Sequence, residues 1–317
     1  MTRQEIQYGP NTLIGFIGAG NMGGAVARRL ASGSWRLRVY DPDPAAVERC
    51  IAAGAIAASD LQDSAREAQV VITSLPTPEI LEATIEEILD TVEKGTTILD
   101  ISTVDPNTAS RAAQRARDAE VHFVSCPLGK GPAQAEQGDI PLFVGGEAAV
   151  VARLRPLLDR MGSAVYDMGS VEAATTFKIV SNLIGMTNLA VLVEGYALAR
   201  RAGIPDETFD QALKDTGGAS YQQRVRLPWI TQRDWSPRFG VDLALKDLRL
   251  AVDSAWRWKI PVPVGSAALA QLVAASIQGM GSEDVVALAK VVDPSLNQAD
   301  ALCLANDDQH SQGSGVV

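Results

Sequence analysis

Short apolar runs alternate with segments of helical period over the first half of the chain. TLIGFIG (12–18), LRVYD (37–41), VVITSLP (70–76), TTILDIS (96–102) and VHFVSCP (121–127) are rich in β-branched residues, and each is bounded by turn-forming residues. Such runs read as buried strands. PLFVGG (141–146) and AVYDMG (164–169) follow as two more. Between the first five lie segments of helical period, such as NMGGAVARRLASG and PNTASRAAQRARDA. Strands alternating with helices of this size predict a largely parallel sheet with helices on both faces, a doubly wound α/β domain.

After residue 169 the strand pattern stops. Residues 171–202 are compatible with one helix, which Gly203 would end. Further helical patterns occupy 205–215, 241–258, 262–279 and 283–292. The expected organisation is an α/β domain over 1–168 and an all-α domain over 169–305, joined through the long helix. The polar end, NDDQHSQGSGVV, predicts an unstructured tail over 306–317.

A chain of 317 residues, 46% hydrophobic and 21% charged, suits an ordinary soluble globular protein of one large or two ordinary domains. Its net charge of −10 argues against broad adhesion to nucleic acid or anionic membrane, while leaving room for a local cationic pocket. The N-terminal MTRQEIQYGP lacks a charged-then-apolar export pattern. The longest apolar candidate, from Ile179 onward, is interrupted by Ser181, Asn182, Thr187, Asn188 and Glu194, short of the roughly 18 residues a membrane span needs. Cys50, Cys126 and Cys303 are far apart and form no CxxC pair, which fits neither a disulfide framework nor zinc-ligand spacing. A cytoplasmic protein with no metal, membrane or nucleic-acid partner is expected.

The first strand runs into Gly18-Ala19-Gly20-Asn21-Met22-Gly23, a GxGxxG. Gly18 permits the tight turn, Gly20 lets a pyrophosphate approach the backbone, and Gly23 allows close packing of helix on strand. The N–H groups at the start of the following helix, around Asn21 and Met22, favour the anion. A lone GxGxxG also suits a structural turn. Here a second strand ends in Asp41, 18 residues past Gly23, close to the spacing of a ribose-binding carboxylate. The first domain is therefore expected to be a Rossmann-type dinucleotide-binding domain. Asp41 can accept hydrogen bonds from a ribose diol but would repel a 2′-phosphate, and Pro42-Asp43-Pro44 supply no arginine for one. NAD is expected rather than NADP.

Hydride transfer at an alcohol carbon needs a group to handle the hydroxyl proton. The chain has two histidines, His122 in an expected strand and His310 in the expected tail. Lysine can serve if burial or a neighbouring cation lowers its pKa. Lys178 opens an otherwise apolar helix, and Asn182 lies one turn on along the same face. A snorkelling lysine fits the spacing equally well.

GFIGAGNMGGAVARRL, SLPTP, DISTVDP, KIVSN and FGVDLALKDLRLA occur in that order over residues 12–293. Together they resemble the motifs of the β-hydroxyacid dehydrogenase family, the relatives of 3-hydroxyisobutyrate dehydrogenase: GxGxMGxxMAxxL, the LP loop, DxSTxxP, KxxxN and a later KD. The resemblance implies a Rossmann domain, a helical domain built on a long interdomain helix, and a homodimer or homotetramer. It implies Lys178 as the catalytic lysine and Asn182 as a substrate ligand. Leu75, Pro76 and Thr103 would line the cofactor, with Lys246 near the nicotinamide. The implied reaction interconverts a 3-hydroxy acid and its semialdehyde.

The chain departs from the family's DAPVSGG, having Ser125-Cys126-Pro127-Leu128-Gly129-Lys130-Gly131 in its place. The usual serine is Gly129 and the next glycine is Lys130. The substrate's anionic end is expected at the backbone of Leu128, Gly129, Lys130 and Gly131, and at Ser102. Lys130 facing the site would suit a sulfonated or doubly anionic acid, as in the similar sulfolactaldehyde reductases; Lys130 facing solvent would not. Two other classes share parts of the pattern. Imine reductases commonly carry Asp or Tyr where this chain has Lys178, and a non-catalytic dinucleotide-binding protein has no need of Lys178 and Asn182.

Overall fold

The computed structural model describes residues 8–33 and 35–297. The expected tail, the end of the expected second domain, Cys303 and His310 lie outside the described residues. Eight strands form one sheet: β1 (Leu13–Ile17), β2 (Arg36–Tyr40), β3 (Ile56–Ala57), β4 (Val70–Thr73), β5 (Thr97–Asp100), β6 (His122–Ser125), β7 (Pro141–Gly145) and β8 (Ala164–Gly169). Their order is β3-β2-β1-β4-β5-β6-β7-β8. The first six follow the doubly wound dinucleotide-binding order, with β7 and β8 added at the β6 edge. Neighbours run parallel except β6 and β7.

Two apolar layers cover the sheet because alternate strand residues face opposite ways. Ile14, Phe16, Val70, Ile72, Leu99 and Val124 enter one core with the helices Asn21–Ala31 and Ala148–Met161. Ile17, Val71, Ile98 and Phe123 enter the other, with Pro78–Leu89 and Pro106–Asp118. Several helices start on a proline behind an acceptor that caps the first turn: Asp43, Thr77 and Asp105 each accept backbone N–H groups of the helix that follows.

The helix Val171–Arg201 runs unbroken for 31 residues. By length and composition alone it could cross a membrane; Ala174, Ile179, Leu189, Val193 and Tyr196 along it are nonetheless buried within the protein. The remaining described chain is helical: Asp206–Lys214, Tyr221–Thr231, Val241–Arg257, Pro263–Ala275 and Leu288–Val292. The helix expected over 262–279 gives way at Ala275 to a wider turn, Ser276–Met280, in which Gly279 adopts φ +84°. Asp284, fully buried, accepts from Arg226 Nη1 (3.1 Å) and from the N–H groups of Arg238, Phe239 and Val286.

The chain forms two compact units. One holds the chain up to Leu183 together with Asp247–Pro261; the other holds Ile184–Lys246 and the chain from Val262. The expected border after residue 168 follows the end of the strand pattern. The compact units instead divide the long helix itself, and the first takes in the end of the helix Val241–Arg257.

Candidate active site

The C-terminal ends of β1, β2, β4 and β5 meet where strand order reverses, the place where open α/β sheets bind ligands. Gly18 leaves β1 with φ +95°, and a Cβ there would lie 2.2 Å from the Ser74 carbonyl oxygen. A Cβ on Gly23 would lie 2.1 Å from Gly18 O and 2.7 Å from Ser74 Cβ. These two glycines let the helix, the turn and the end of β4 touch. Gly20 differs, because a Cβ there would meet nothing within 4 Å. Gly20 precedes the helix Asn21–Ala31, whose first turn, with Asn21, Met22 and Gly23, has no side-chain cap and no acidic residue. The cradle thus offers a positive helix end and open space at its middle glycine, which fits a pyrophosphate.

Asp41 follows β2 and turns its carboxylate back on the glycine loop. Its Oδ2 accepts from the Ala19 N–H (2.6 Å) and its Oδ1 from the Asp43 N–H (2.8 Å). It therefore fixes the loop, and Asp43 caps the next helix.

Beside the cradle, the Leu75 N–H donates to Ser102 Oγ (2.9 Å), and the Ser102 hydroxyl donates to Asp100 Oδ1 (2.6 Å). Asp100 Oδ1 also accepts from Thr73 Oγ1 and the Ser102 N–H. Asp100 is fully buried and Ser102 nearly so. With its proton on Asp100, the Ser102 hydroxyl ties the Leu75-Pro76 loop to the Ser102-Thr103 loop. Two residues past Thr103, Asp105 accepts from Thr108 and pairs with Arg257 at 3.2 Å. Burial raises the Asp105 carboxyl, but hydrogen bonds from Thr108 and the Arg257 charge outweigh it and hold the pKa below the ordinary value.

The loop over 128–131 packs on β7. The Gly129 N–H donates to the Pro141 carbonyl (2.9 Å), Leu128 bridges Leu142, and the Phe143 N–H donates to Pro127 O. A Cβ on Gly129 would come within 2.5 Å of Pro141 Cγ, so Pro141 leaves no room there for a side chain. Lys130 sits at φ +59°, a left-handed conformation that suits glycine. Its Nζ lies 2.7 Å from Asp139 Oδ1. Gly131 precedes the short helix Pro132–Gln137. The Phe143 ring, 3.5 Å from where a Gly129 Cβ would be, packs on Phe177 with centroids 4.6 Å apart. Phe177 precedes Lys178, so this contact joins the loop to the start of the long helix.

Lys178 is half-buried. One turn on, Asn182 Nδ2 donates to Asp247 Oδ2 at 2.7 Å, and Asp247 is 2% exposed. The family resemblance named Lys246 and gave its neighbour Asp247 no role. Asp247 belongs to the unit of Lys178 and Asn182, whereas Lys246 is counted with the other unit. The segment from Asp247 to Arg257 is thus pinned at both ends, to Asn182 and to Asp105. A buried acid directly after an exposed-looking lysine in LALKDLRLA carried the signal, as its helical spacing matches the apolar face.

His122 lies at the start of β6; burial and Arg153 lower its pKa, against a weaker pull from Glu147. Cys50 and Cys126 are buried thiols raised above their ordinary pKa, chiefly by burial. Among the described residues no group of acids, histidines and cysteines could hold a metal ion.

Residues 13–169 match the NAD-binding domain of 6-phosphogluconate dehydrogenase, and residues 173–292 match a domain described as the NAD-binding domain of NADP-dependent 3-hydroxyisobutyrate dehydrogenase. The 2-(hydroxymethyl)glutarate dehydrogenase of Eubacterium barkeri is 31% identical over 88% of this chain and 94% of its own length. The mitochondrial 3-hydroxyisobutyrate dehydrogenase of Bos taurus is 32% identical over 81% of this chain and 80% of its own. The chain belongs to the β-hydroxyacid dehydrogenase family. The solved 3-hydroxyisobutyrate dehydrogenase of Salmonella typhimurium shares the architecture, with a TM-score of 0.82 at 27% identity over 89% of this chain and 100% of its own.

Within a β-hydroxyacid dehydrogenase the two changes in the loop over 128–131 acquire structural reasons. Gly129 stands where the family has serine, and Pro141 fills the space a serine would need. Lys130 stands where the family has glycine and keeps that glycine's left-handed backbone. The enzyme is an oxidoreductase whose glycine loop fits an NAD(P) pyrophosphate.

Proposed function

We propose that this enzyme is NAD-dependent and interconverts a 3-hydroxy acid of the 3-hydroxyisobutyrate kind with its semialdehyde, with Lys178 as general acid and base. The observation that carries the reading is the Asn182–Asp247 hydrogen bond one turn from Lys178. A buried carboxylate that holds one amide hydrogen of Asn182 fixes the amide plane, and its oxygen and second hydrogen are left in a set direction for a ligand. A lysine that merely snorkels needs no such neighbour.

The substrate carboxylate is received by backbone N–H groups of Leu128, Lys130 and Gly131, the Gly129 N–H being committed to Pro141. Asn182 orients the substrate, and the Lys178 amine takes the hydroxyl proton as the alcohol is oxidised. In reduction its ammonium returns that proton to the developing alkoxide. Acid–base help of this kind contributes about 10²–10⁴-fold in rate. The dinucleotide, when bound, supplies the hydride acceptor or donor. The glycine cradle seats its pyrophosphate, with Asn21 and Met22 at the helix start and Leu75, Pro76 and Thr103 lining it. Asp41 stands ready for the adenosine ribose, where its charge disfavours a 2′-phosphate.

Phe177, Val180, Ile184, Val191 and Leu198 are each 39–73% exposed and recur at helical spacing on the long helix. That stripe supports a homodimer or homotetramer.

The test is a screen of 3-hydroxyisobutyrate, 3-hydroxypropionate, and dicarboxylic and sulfonated 3-hydroxy acids with NAD and with NADP. Turnover of a 3-hydroxy acid with higher kcat/KM for NAD is expected. Cofactor binding without turnover of any member would overturn the reading.

A further inference from the structure

We propose that Asp139 sets the charge class of the substrate: by pairing with Lys130 it cancels the cation of the substrate loop and biases the site toward acids with a single negative charge. The inference rests on the reading of residues 128–131 as the seat of the substrate carboxylate.

Lys130 is the only charged residue between Leu128 and Gly131. Were its ammonium unpaired, the loop would favour a second anionic group on the substrate. Asp139 stands beyond the short helix Pro132–Gln137, and its Oδ1 lies 2.7 Å from Lys130 Nζ. The acceptor is itself held. Ser163 Oγ donates to the same oxygen at 3.2 Å, and the Asp139 N–H donates to Gln134 O at 2.8 Å. The Lys130 backbone, at φ +59°, sets the direction in which its side chain leaves the loop. Three segments therefore converge on one pair: the loop, the turn before β7, and the turn before β8.

Gly129, next to Lys130, backs onto Phe143, which packs on Phe177 beside Lys178. A singly charged acid meets a loop with no net charge and relies on backbone N–H groups. A doubly charged acid meets, for its second group, an ammonium already matched and a carboxylate that repels it. Hydrogen bonding to Lys130 lowers the Asp139 pKa, so the carboxylate stays charged at neutral pH. The Lys130 side chain is 32% exposed and that of Asp139 56%, so water screens the pair. Interactions of exposed pairs correspond to roughly two- to fivefold in an equilibrium or specificity constant.

The experiment compares kcat/KM for 3-hydroxyisobutyrate, with one negative charge, and 2-(hydroxymethyl)glutarate, with two. It uses the wild type, Asp139→Asn, Lys130→Gly and the double variant. Asp139→Asn keeps the shape and hydrogen bonding of the side chain, and Lys130→Gly suits the left-handed backbone. Asp139→Asn is expected to raise the ratio of doubly to singly charged specificity by roughly two- to fivefold. The double variant is expected to show no such rise over Lys130→Gly. An unaltered ratio in Asp139→Asn, or an equal rise in the double variant, would overturn the inference while the broader function stands. Wild-type protein that turns over neither acid overturns the functional reading and this inference with it.

Discussion

Substitution of alanine at two glycines of the cofactor turn separates structure from ligand binding. At Gly18 the backbone lies at φ +95°, and the new Cβ would sit 2.2 Å from the Ser74 carbonyl oxygen. Left-handed strain costs an L-residue about 1–2 kcal/mol, and overpacking against fixed backbone about 1–3 kcal/mol. Gly18→Ala should therefore lose about 2–5 kcal/mol, at roughly 2–4 °C of Tm per kcal/mol for a domain of this size. Gly20 has φ −60° and open space where its Cβ would stand. Alanine gains about 0.4–1 kcal/mol by stiffening the unfolded chain and loses a comparable amount as a poorer helix cap. The stability of Gly20→Ala should thus stay within about 0.5 kcal/mol of wild type. Its methyl group would occupy the approach of the pyrophosphate. Hydrogen bonds to charged groups are worth about 1.5–3 kcal/mol, so losing one weakens dinucleotide binding roughly 10- to 100-fold. Urea denaturation and calorimetric titration with NAD measure the two effects separately. Equal destabilisation of the two variants, or wild-type NAD affinity in Gly20→Ala, would refute the pyrophosphate cradle.

Asp247→Ala removes the acceptor that fixes Asn182 and should lower kcat/KM for the hydroxy acid roughly 10- to 100-fold. The Kd for NAD, measured by titration, should not move, because the hydrogen bond removed holds Asn182 on the long helix and not the glycine cradle. Asp105 has a folded-state pKa below its ordinary 3.8. Its contribution to stability is therefore complete above that value and is lost as pH falls through the lower folded pKa. Asp105→Asn should flatten the acid side of a Tm-versus-pH curve below about pH 4, and an unaltered curve would count against the Arg257 and Thr108 contacts as its cause.

The strands most legible in the sequence were those buried on both faces, because near-continuous apolar runs such as VVITSLP have few other uses. β3 went unseen: two residues, Ile56 and Ala57, both exposed, carry no period. The reversed direction of β7 was equally hidden, since hydrophobic runs set burial and not polarity. The helix Tyr221–Thr231 was missed because YQQRVRLPWIT is polar on most faces and contains Pro228. At the site, motifs with internal spacing were readable, as with the glycine turn and the Lys178–Asn182 pair. Partners far apart in sequence were not. The Ser102–Leu75 and Lys130–Asp139 hydrogen bonds depend on loops meeting in space, and Asn182–Asp247 on two helices meeting. The role of Pro141 in making Gly129 a glycine needed the packing of the loop on β7.

The central claim is that Lys178 carries the proton. Its most direct test is kcat of Lys178→Ala on the best 3-hydroxy acid of the screen, with Tm and NAD affinity measured on the same preparation. The account predicts a loss of about 10²–10⁴-fold in kcat with Tm and NAD affinity at wild-type values. A variant that folds, binds NAD and keeps wild-type kcat would contradict it.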